Sequence, residues 1–566
     1  MSRLFVRVLA ASFFSIACFC FSLPVYASPN IEVISPQAGM SSGSPVFFEA
    51  NASSSCAQGI AALRIYSAPG VSAYTTLSAH LETFINLTPG IYNTVVQAWD
   101  NCGGVSKAPV TLTVTSDAGV SVFLPSTTSG SGPIHFAGSA RNPDCPAGIL
   151  AMRIYTSWGV TPYTVYGNQL DAYVQLGNAV YDATLQAWDN CGNVFKSNFQ
   201  ISGSGDADAF LYTVNQAGEI AKFNVDSNEA LAVDSPAEVF SSSQAASSIV
   251  HHPSGWFVYV STIAGIYGYY VDHGTGVLRA MQGSPFYSNI PIGTLFADPT
   301  GNFLYAAQPL PSSTGSEPST KLNSYKIDRS TGALTLSAST TVGQVLVAIS
   351  TDPDGLFLYA TGGGVTTDPS HIYGYHVNPN SGALTPVYGS PFEMSDVQYA
   401  FALSAGYQYL YVATATNGGD VRSYQINYNS GSLYPPLGPY GAPGVIFGTQ
   451  SMLTDWLARY VWTGNEPTGT GENYFWLFNL DGYTGALTGP HDIGAGNLYV
   501  DLLTESNAAN AIYAAGGPCG PITCAPGMLS AWTWAPGGNG TLEMINALPT
   551  GSSNPVGVSV VRANPE

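Results

Sequence analysis

Few side chains in this chain could do chemistry, because only 9 % of its residues are Asp, Glu, Lys or Arg. Opening an ester or lactone needs a base to activate water and a donor or cation for the developing oxyanion. Glu466, in "TGNEP", and Asp501, placed to start an inner strand of the repeats described below, are the one acidic pair expected near the mouth of a central channel, and they are the catalytic candidates. His251 and His252, in "VHHPSG", read as strand and turn residues. Asp352 and Asp354 in "DPDG" read as turn formers rather than calcium ligands. The chain has no G-x-S-x-G, nucleotide-binding loop or H-E-x-x-H. Neither a metal nor a cofactor is expected.

The cysteines follow a pattern. Cys56 and Cys102 are 46 residues apart, and so are Cys145 and Cys191. Around them "CAQGIAALRIY" matches "CPAGILAMRIY", and "VQAWDNCGGVSK" matches "LQAWDNCGNVFK", at a constant offset of 89 residues. Six cysteines outside the leader allow 15 pairings. The duplication selects Cys56–Cys102 and Cys145–Cys191, one pair per unit. Zinc would need further ligands at suitable spacing, and neither unit shows them. Cys519 and Cys524 are a third candidate pair, stapling one loop.

The compartment must be oxidising for such bridges to persist. The N-terminus agrees. "MSRLFVR" is a basic n-region, "VLAASFFSIACFCFSL" an apolar core, and "VYA" before Ser28 a small-residue cleavage pattern, so residues 1–27 read as a signal peptide. A lipoprotein reading through Cys18 is the weaker alternative, because Ser15 stands where an aliphatic residue is usual. No later stretch has the run of apolar residues a membrane span needs. Secretion, the periplasm or the cell surface is expected. The formal charge is −20, and an acidic chain repels nucleic acid and anionic lipid, so neither is an expected partner.

Short alternating strands between turn signals, in units of about 85–90 residues, argue for β-sandwiches. Residues 28–116 and 117–203 are the two units. Their "Y-x-V-x-V-x-A-x-D"-like strands resemble bacterial immunoglobulin-like modules. That resemblance implies a bridge joining opposite sheets at one pole, and says nothing of function. On the out-facing parity Arg64 should lie over Trp99, and Arg153 over Trp188. These four are the binding candidates: a planar aromatic face could take a sugar, while cation–π cladding is the plainer reading.

After a linker at 204–207 a second repeat begins, with a period near 50 residues. "HPSGWFVYV", "DPTGNFLYA", "DPDGLFLYA" and "SAGYQYLYV" are copies of its first half. The landmark aromatics are Tyr212, Tyr259, Tyr305, Tyr359, Tyr411, Trp462 and Tyr513. A strand–turn–strand element such as "IYGYHVNPNSGAL" recurs equally often. Two landmarks giving the same count, with four short strands per repeat, predict seven blades of a propeller over 208–566. The first repeat lacks its innermost strand, and "PVGVSVV" (555–561) is placed to supply it and close the ring. The fold class is therefore all-β: two immunoglobulin-like sandwiches followed by a seven-bladed β-propeller.

"HPSGWFVYV", "TGALT" and the two "GSPF" stretches resemble the seven-bladed lactonase family, which includes 6-phosphogluconolactonase-like proteins. The family's lactonising members carry a His on an inner strand, four residues before the turn. The matching positions here are Ser248, Thr294, Ala348, Ala400, Ser451 and Leu502, none of them a base. The expectation is a non-catalytic exported protein that binds a glycan, peptide or surface component through the loops after the landmark strands. Two alternatives stand beside it: a lactonase-like hydrolase with relocated catalytic groups, and a structural surface or adhesion protein.

Overall fold

A computed structural model of the chain describes residues 28–562, except 57, 126–128, 132, 157–162, 176–179, 205–208, 227, 234–243, 274, 311–318, 363–368, 398–399, 407, 415–418, 442–450, 455–458, 465–474, 494–497, 506–510, 519–526, 535–541 and 551–554. The described residues form strands, turns and irregular connections, and no helix occurs among them. No helix among them is long and apolar enough to cross a membrane.

The first unit pairs a three-stranded sheet (Asn30–Ser35, Val46–Ser53, His80–Ile85) with a five-stranded one whose centre is Gly90–Asp100, flanked by Ile60–Ala68 and Val105–Val114. Phe48, Ala50 and Leu81 from one sheet meet Leu63, Ile65, Val96 and Ala98 from the other in one core. The second unit repeats the plan. Its three-stranded sheet is Gly119–Leu124, Pro133–Arg141 and Gln169–Gln175, and its five-stranded sheet is centred on Val180–Asp189. In each unit the first cysteine follows a strand of the smaller sheet and the second follows the central strand of the larger. The bridges Cys56–Cys102 and Cys145–Cys191 are both formed. Each therefore ties sheet to sheet. Cys519 and Cys524 lie outside the described residues.

Behind each bridge the repeated "AWDNC" makes an identical turn. Asp100 Oδ1 accepts the backbone N–H groups of Cys102 and Gly104, and Asp189 Oδ1 those of Cys191 and Asn193. The motif is thus a carboxylate-pinned turn that presents the cysteine.

Among the described residues from Ala209 to Arg562 the strands form seven antiparallel sheets in chain order, each of four strands, one with a fifth short strand attached. The first sheet is completed from the far end of the chain, where Pro555–Arg562 pairs with Ala209–Asn215. Ala209, Leu211 and Phe223 of the first sheet also share a core with Tyr513, Ala515 and Leu529 of the last. First and last sheets are thus neighbours, in a propeller-like arrangement.

The repeated residues explain the contacts between sheets. The landmark aromatics are fully buried. Tyr212, Tyr259 and Tyr359 each donate a hydroxyl hydrogen bond to a carbonyl of the following repeat: Gly276 at 2.6 Å, Gly332 at 2.8 Å and Gly431 at 2.7 Å. Those glycines sit in the "TG" or "SG" turns with left-handed backbone, φ 69°, 67° and 71°. At Gly431 a Cβ would also come 2.3 Å from the Phe357 ring, so glycine is required there on both counts.

Candidate functional site

Glu49 and Glu82 stand opposite each other on neighbouring strands of the first unit. Phe48, Ala50 and Leu81 turn into its core, so the two carboxylates point out of it. Like charges facing across a strand pair repel, and burial removes the solvent that would screen them. Their partners come from two other parts of the chain. His135 of the second unit places Nδ1 3.4 Å from Glu49 Oε2, and Nε2 2.7 Å from Asp171 Oδ1 and 3.7 Å from Glu82 Oε1. Arg329 enters from the turn between Ser319–Ile327 and Leu334–Val342. Its Nη1 lies 3.3 Å from Asp171 and 3.6 Å from Glu82.

The same turn fixes the backbone. Ser330 Oγ accepts the Glu82 N–H (2.8 Å) and donates to the Glu82 carbonyl (2.7 Å). Arg329 Nη2 donates to the carbonyls of Asp171 (2.8 Å) and Thr300 (3.1 Å) and to Asn302 Oδ1 (3.2 Å). Rings fill the remaining space. His80 stacks on Trp256 at 4.9 Å, His135 on Tyr173 at 4.4 Å, and the Arg329 guanidinium lies 5.2 Å from the Tyr173 centroid. The side chains of Glu49, His80, Glu82 and His135 keep 4 % of their exposure or less.

Such burial rearranges the protons. Desolvation pushes Glu82 well above the usual carboxylate range, with Asp171 adding to it, and holds His80 well below the usual imidazole value. Burial also opposes charge on His135, but Glu82, Asp171 and Glu49 outweigh it and push the imidazole up to about 10. Asp171 resists its own desolvation because Arg329 and His135 hold its carboxyl well below the ordinary range.

None of these residues was among the sequence candidates. Their signal was a charged residue alternating with core residues on strands of a chain poor in charge: Glu49 in "FFEANA", Glu82 in "HLETF", His135 in "PIHFA", Asp171 in "QLDAY". Their convergence depends on how three separate parts pack, which no local pattern encodes.

The four binding candidates behave as their parity predicts. Arg64 lies 5.4 Å from the Trp99 centroid, and Arg153 5.4 Å from that of Trp188. In both units the guanidinium Nε donates to a threonine, Thr75 at 2.7 Å and Thr164 at 2.5 Å. The tyrosines Tyr66 and Tyr155 flank the arginines on the other side, 5.9 and 5.8 Å away.

Just before two inner strands, Thr294 donates its hydroxyl to the Val347 carbonyl (3.1 Å), and Ser451 Oγ accepts the Leu503 N–H (3.0 Å). His251 reaches Ser559 Oγ on the closing strand at 2.8 Å, and burial lowers its imidazole to about 4. His252 is held between Ser254 and the Gly301 carbonyl, and burial lowers it to about 3. Asp352 Oδ1 accepts the Phe357 N–H at 2.6 Å, the turn contact expected of it. Glu466 lies outside the described residues; Asp501 falls within the strand Leu498–Glu505.

No protein-family model and no curated protein matches the chain. Among solved structures it is similar to a candidate 6-phosphogluconolactonase from Bacteroides fragilis, at 17 % identity and TM-score 0.45, over 63 % of this chain and 98 % of that one. A second, from Bacteroides uniformis, has 14 % identity and TM-score 0.47, over 63 % and 100 %. A protein of unknown function from Desulfotomaculum acetoxidans has 12 % identity and TM-score 0.43, over 63 % and 99 %.

Proposed function

We propose that this is an exported, non-catalytic binding protein. Two immunoglobulin-like sandwiches are bolted to one face of a seven-bladed propeller, and the opposite face takes a glycan, peptide or surface component. The observation that carries this reading is where the sandwiches dock. Their contacts are with the turns joining first to second strands (His252, Trp256, Thr300, Asn302) and third to fourth strands (Arg329, Ser330, Asn380). In an antiparallel meander those turns share one face. The strand ends at Leu310, Gly362, Thr414, Gly464 and Pro518, from which the long Ser-, Thr-, Gly- and Pro-rich connections leave, belong to the other. Long connections on a rigid scaffold are where binding usually resides.

The inner strands support a role without catalysis. Thr294 and Ser451, at positions where lactonising relatives of the resembled family carry a base, use their hydroxyls to join adjacent inner strands. Arg64 and Arg153 already cover the tryptophan faces that a sugar would need, which favours cladding over binding at those sites.

A glycan array, with peptide and cell-surface fractions alongside, tests the reading on the whole protein. Binding should vanish when segments 311–318 and 465–474 are replaced by Gly-Ser linkers, and should survive Arg64→Ala with Arg153→Ala. Turnover of 6-phosphogluconolactone or a simple lactone that disappears in Glu466→Gln or Asp501→Asn would overturn it in favour of a hydrolase.

A further inference from the structure

The buried junction has a charge count that needs closing. Glu49, Glu82 and Asp171 bring three carboxylates, and among the described residues Arg329 is the one permanent cation in contact with them. With all three carboxylates ionised and both imidazoles neutral, the state in which they could ligate a metal, the sum is −2. Two uncompensated charges in a buried site cost far more than an interface yields. In the ion-free chain the protons on His135 and Glu82 close the sum, and one divalent cation taking their place would close it as well.

The placing of the ring nitrogens and carboxylates fits the cation. His80 Nδ1 lies 2.8 Å from Asn51 Oδ1, which places the ring proton there and leaves the Nε2 lone pair facing Glu82 Oε2 at 3.2 Å. His135 is arranged the same way. Its Nε2–H donates to Asp171 at 2.7 Å, so that on losing its other proton the ring turns the Nδ1 lone pair toward Glu49 Oε2 at 3.4 Å. Each imidazole is thus oriented by an acceptor behind it and presents its other nitrogen to a carboxylate, as metal-ligating histidines do. A lone pair facing a carboxylate oxygen requires a proton or a cation between them. His135 Nδ1, Glu49 Oε2 and Glu82 Oε1 are buried and make no hydrogen bond. Separations of 3.2 and 3.4 Å are also those of neighbouring ligand atoms around a tetrahedral ion with bonds of about 2.0–2.2 Å. The ligating atoms of Glu49, His80 and Glu82 lie within 4.8 Å of one another.

We propose that Glu49, His80 and Glu82, with His135 Nδ1 completing the set, bind a divalent cation of the zinc type at the junction of the two sandwiches and the propeller. Asn51 and Asp171 orient the two histidines. The ion balances Glu49 and Glu82, Arg329 balances Asp171, and the junction is neutral. The role is structural: the ligands come from both sandwiches, so the ion joins them beside the propeller turn that carries Arg329. Cys56, Asp100 and Cys102 are close enough to suggest a second cluster, but those sulfurs are spent in a disulfide.

The test uses the full chain, produced with zinc in the medium and purified without chelator. Elemental analysis should find about one zinc per chain. Chelation with phenanthroline should lower Tm and zinc should restore it, while cobalt should give the visible bands of a tetrahedral N/O site. Asn51→Ala should weaken the metal about 10- to 100-fold while leaving a folded chain. His135→Gln is the second variant, should Asn51→Ala fail to fold. A folded chain with negligible metal and a Tm indifferent to chelator would overturn the proposal, leaving two protons as the neutralising charge. Full metal retention in His80→Gln and His135→Gln would place any ion elsewhere and overturn it too.

Discussion

Glu82 and Asp171 occupy the same position in the two sandwich repeats, 89 residues apart, and both face the same guanidinium nitrogen, Arg329 Nη1, at 3.6 and 3.3 Å. One propeller side chain is therefore held by equivalent carboxylates of a duplicated unit. The duplication supplies a two-pronged clamp. The second unit then departs from the first around it: Gln169 replaces His80, and the second imidazole comes instead from His135, on the neighbouring strand.

Arg329→Ala should destabilise the docking of sandwiches on propeller by about 3–5 kcal/mol, because it leaves buried carboxylates unpaired. Separate thermal transitions for the two parts and faster proteolysis near 204–208 are expected. A single unshifted transition would show that ring packing around Trp256 and Tyr173 suffices.

Each disulfide closes a loop with its cysteines 46 residues apart. Replacing Cys145 and Cys191 by serine should cost the second sandwich about 4 kcal/mol by the chain-entropy relation. Non-reduced peptide mapping of the native chain should return Cys56–Cys102 and Cys145–Cys191, and any cross-repeat link would contradict the assignment.

Removing residues from Asn554 onward strips Pro555–Arg562 from the first sheet and exposes two strand edges. The propeller should lose cooperativity as a whole, seen as a broad early transition in calorimetry. Unchanged unfolding would mean that the core shared by first and last sheets suffices for closure.

Asp352 carries a pH signature of its own. Burial pushes its carboxyl up to about 7. The folded state then binds a proton that the unfolded chain releases near pH 4, so this group's contribution to stability declines as pH rises from about 4 to 7. Asp352→Asn keeps the acceptor for the Phe357 N–H and removes the charge. The variant's Tm advantage should grow from pH 5 to pH 8; an advantage flat across that range would mean that Asp352 ionises normally.

Gly431→Ala should cost several kcal/mol, because a Cβ meets the Phe357 ring at 2.3 Å and the φ is 71°. The control is Gly441→Ala, where a Cβ meets nothing within 4 Å. Equal urea midpoints for the two variants would contradict the inter-sheet packing described above.

The periodic parts of this protein are legible in the amino-acid sequence itself. Duplicated cysteines, seven landmark aromatics and a displaced last strand are local or near-local signals, repeated often enough to check one another. Parity alone placed Arg64 over Trp99, because successive side chains of a strand alternate between faces and the partner strand follows. The junction is of another kind. Glu49, His80, Glu82, His135, Asp171 and Arg329 come from three separately packed parts, and each looks like an ordinary strand or turn residue in its own stretch. What gives them meaning is the removal of water, and water is removed only when the sandwiches and the propeller close on one another. Strand alternation is written along the chain; desolvation of a charge depends on what arrives from elsewhere in space, and for these residues the tertiary structure alone decided it.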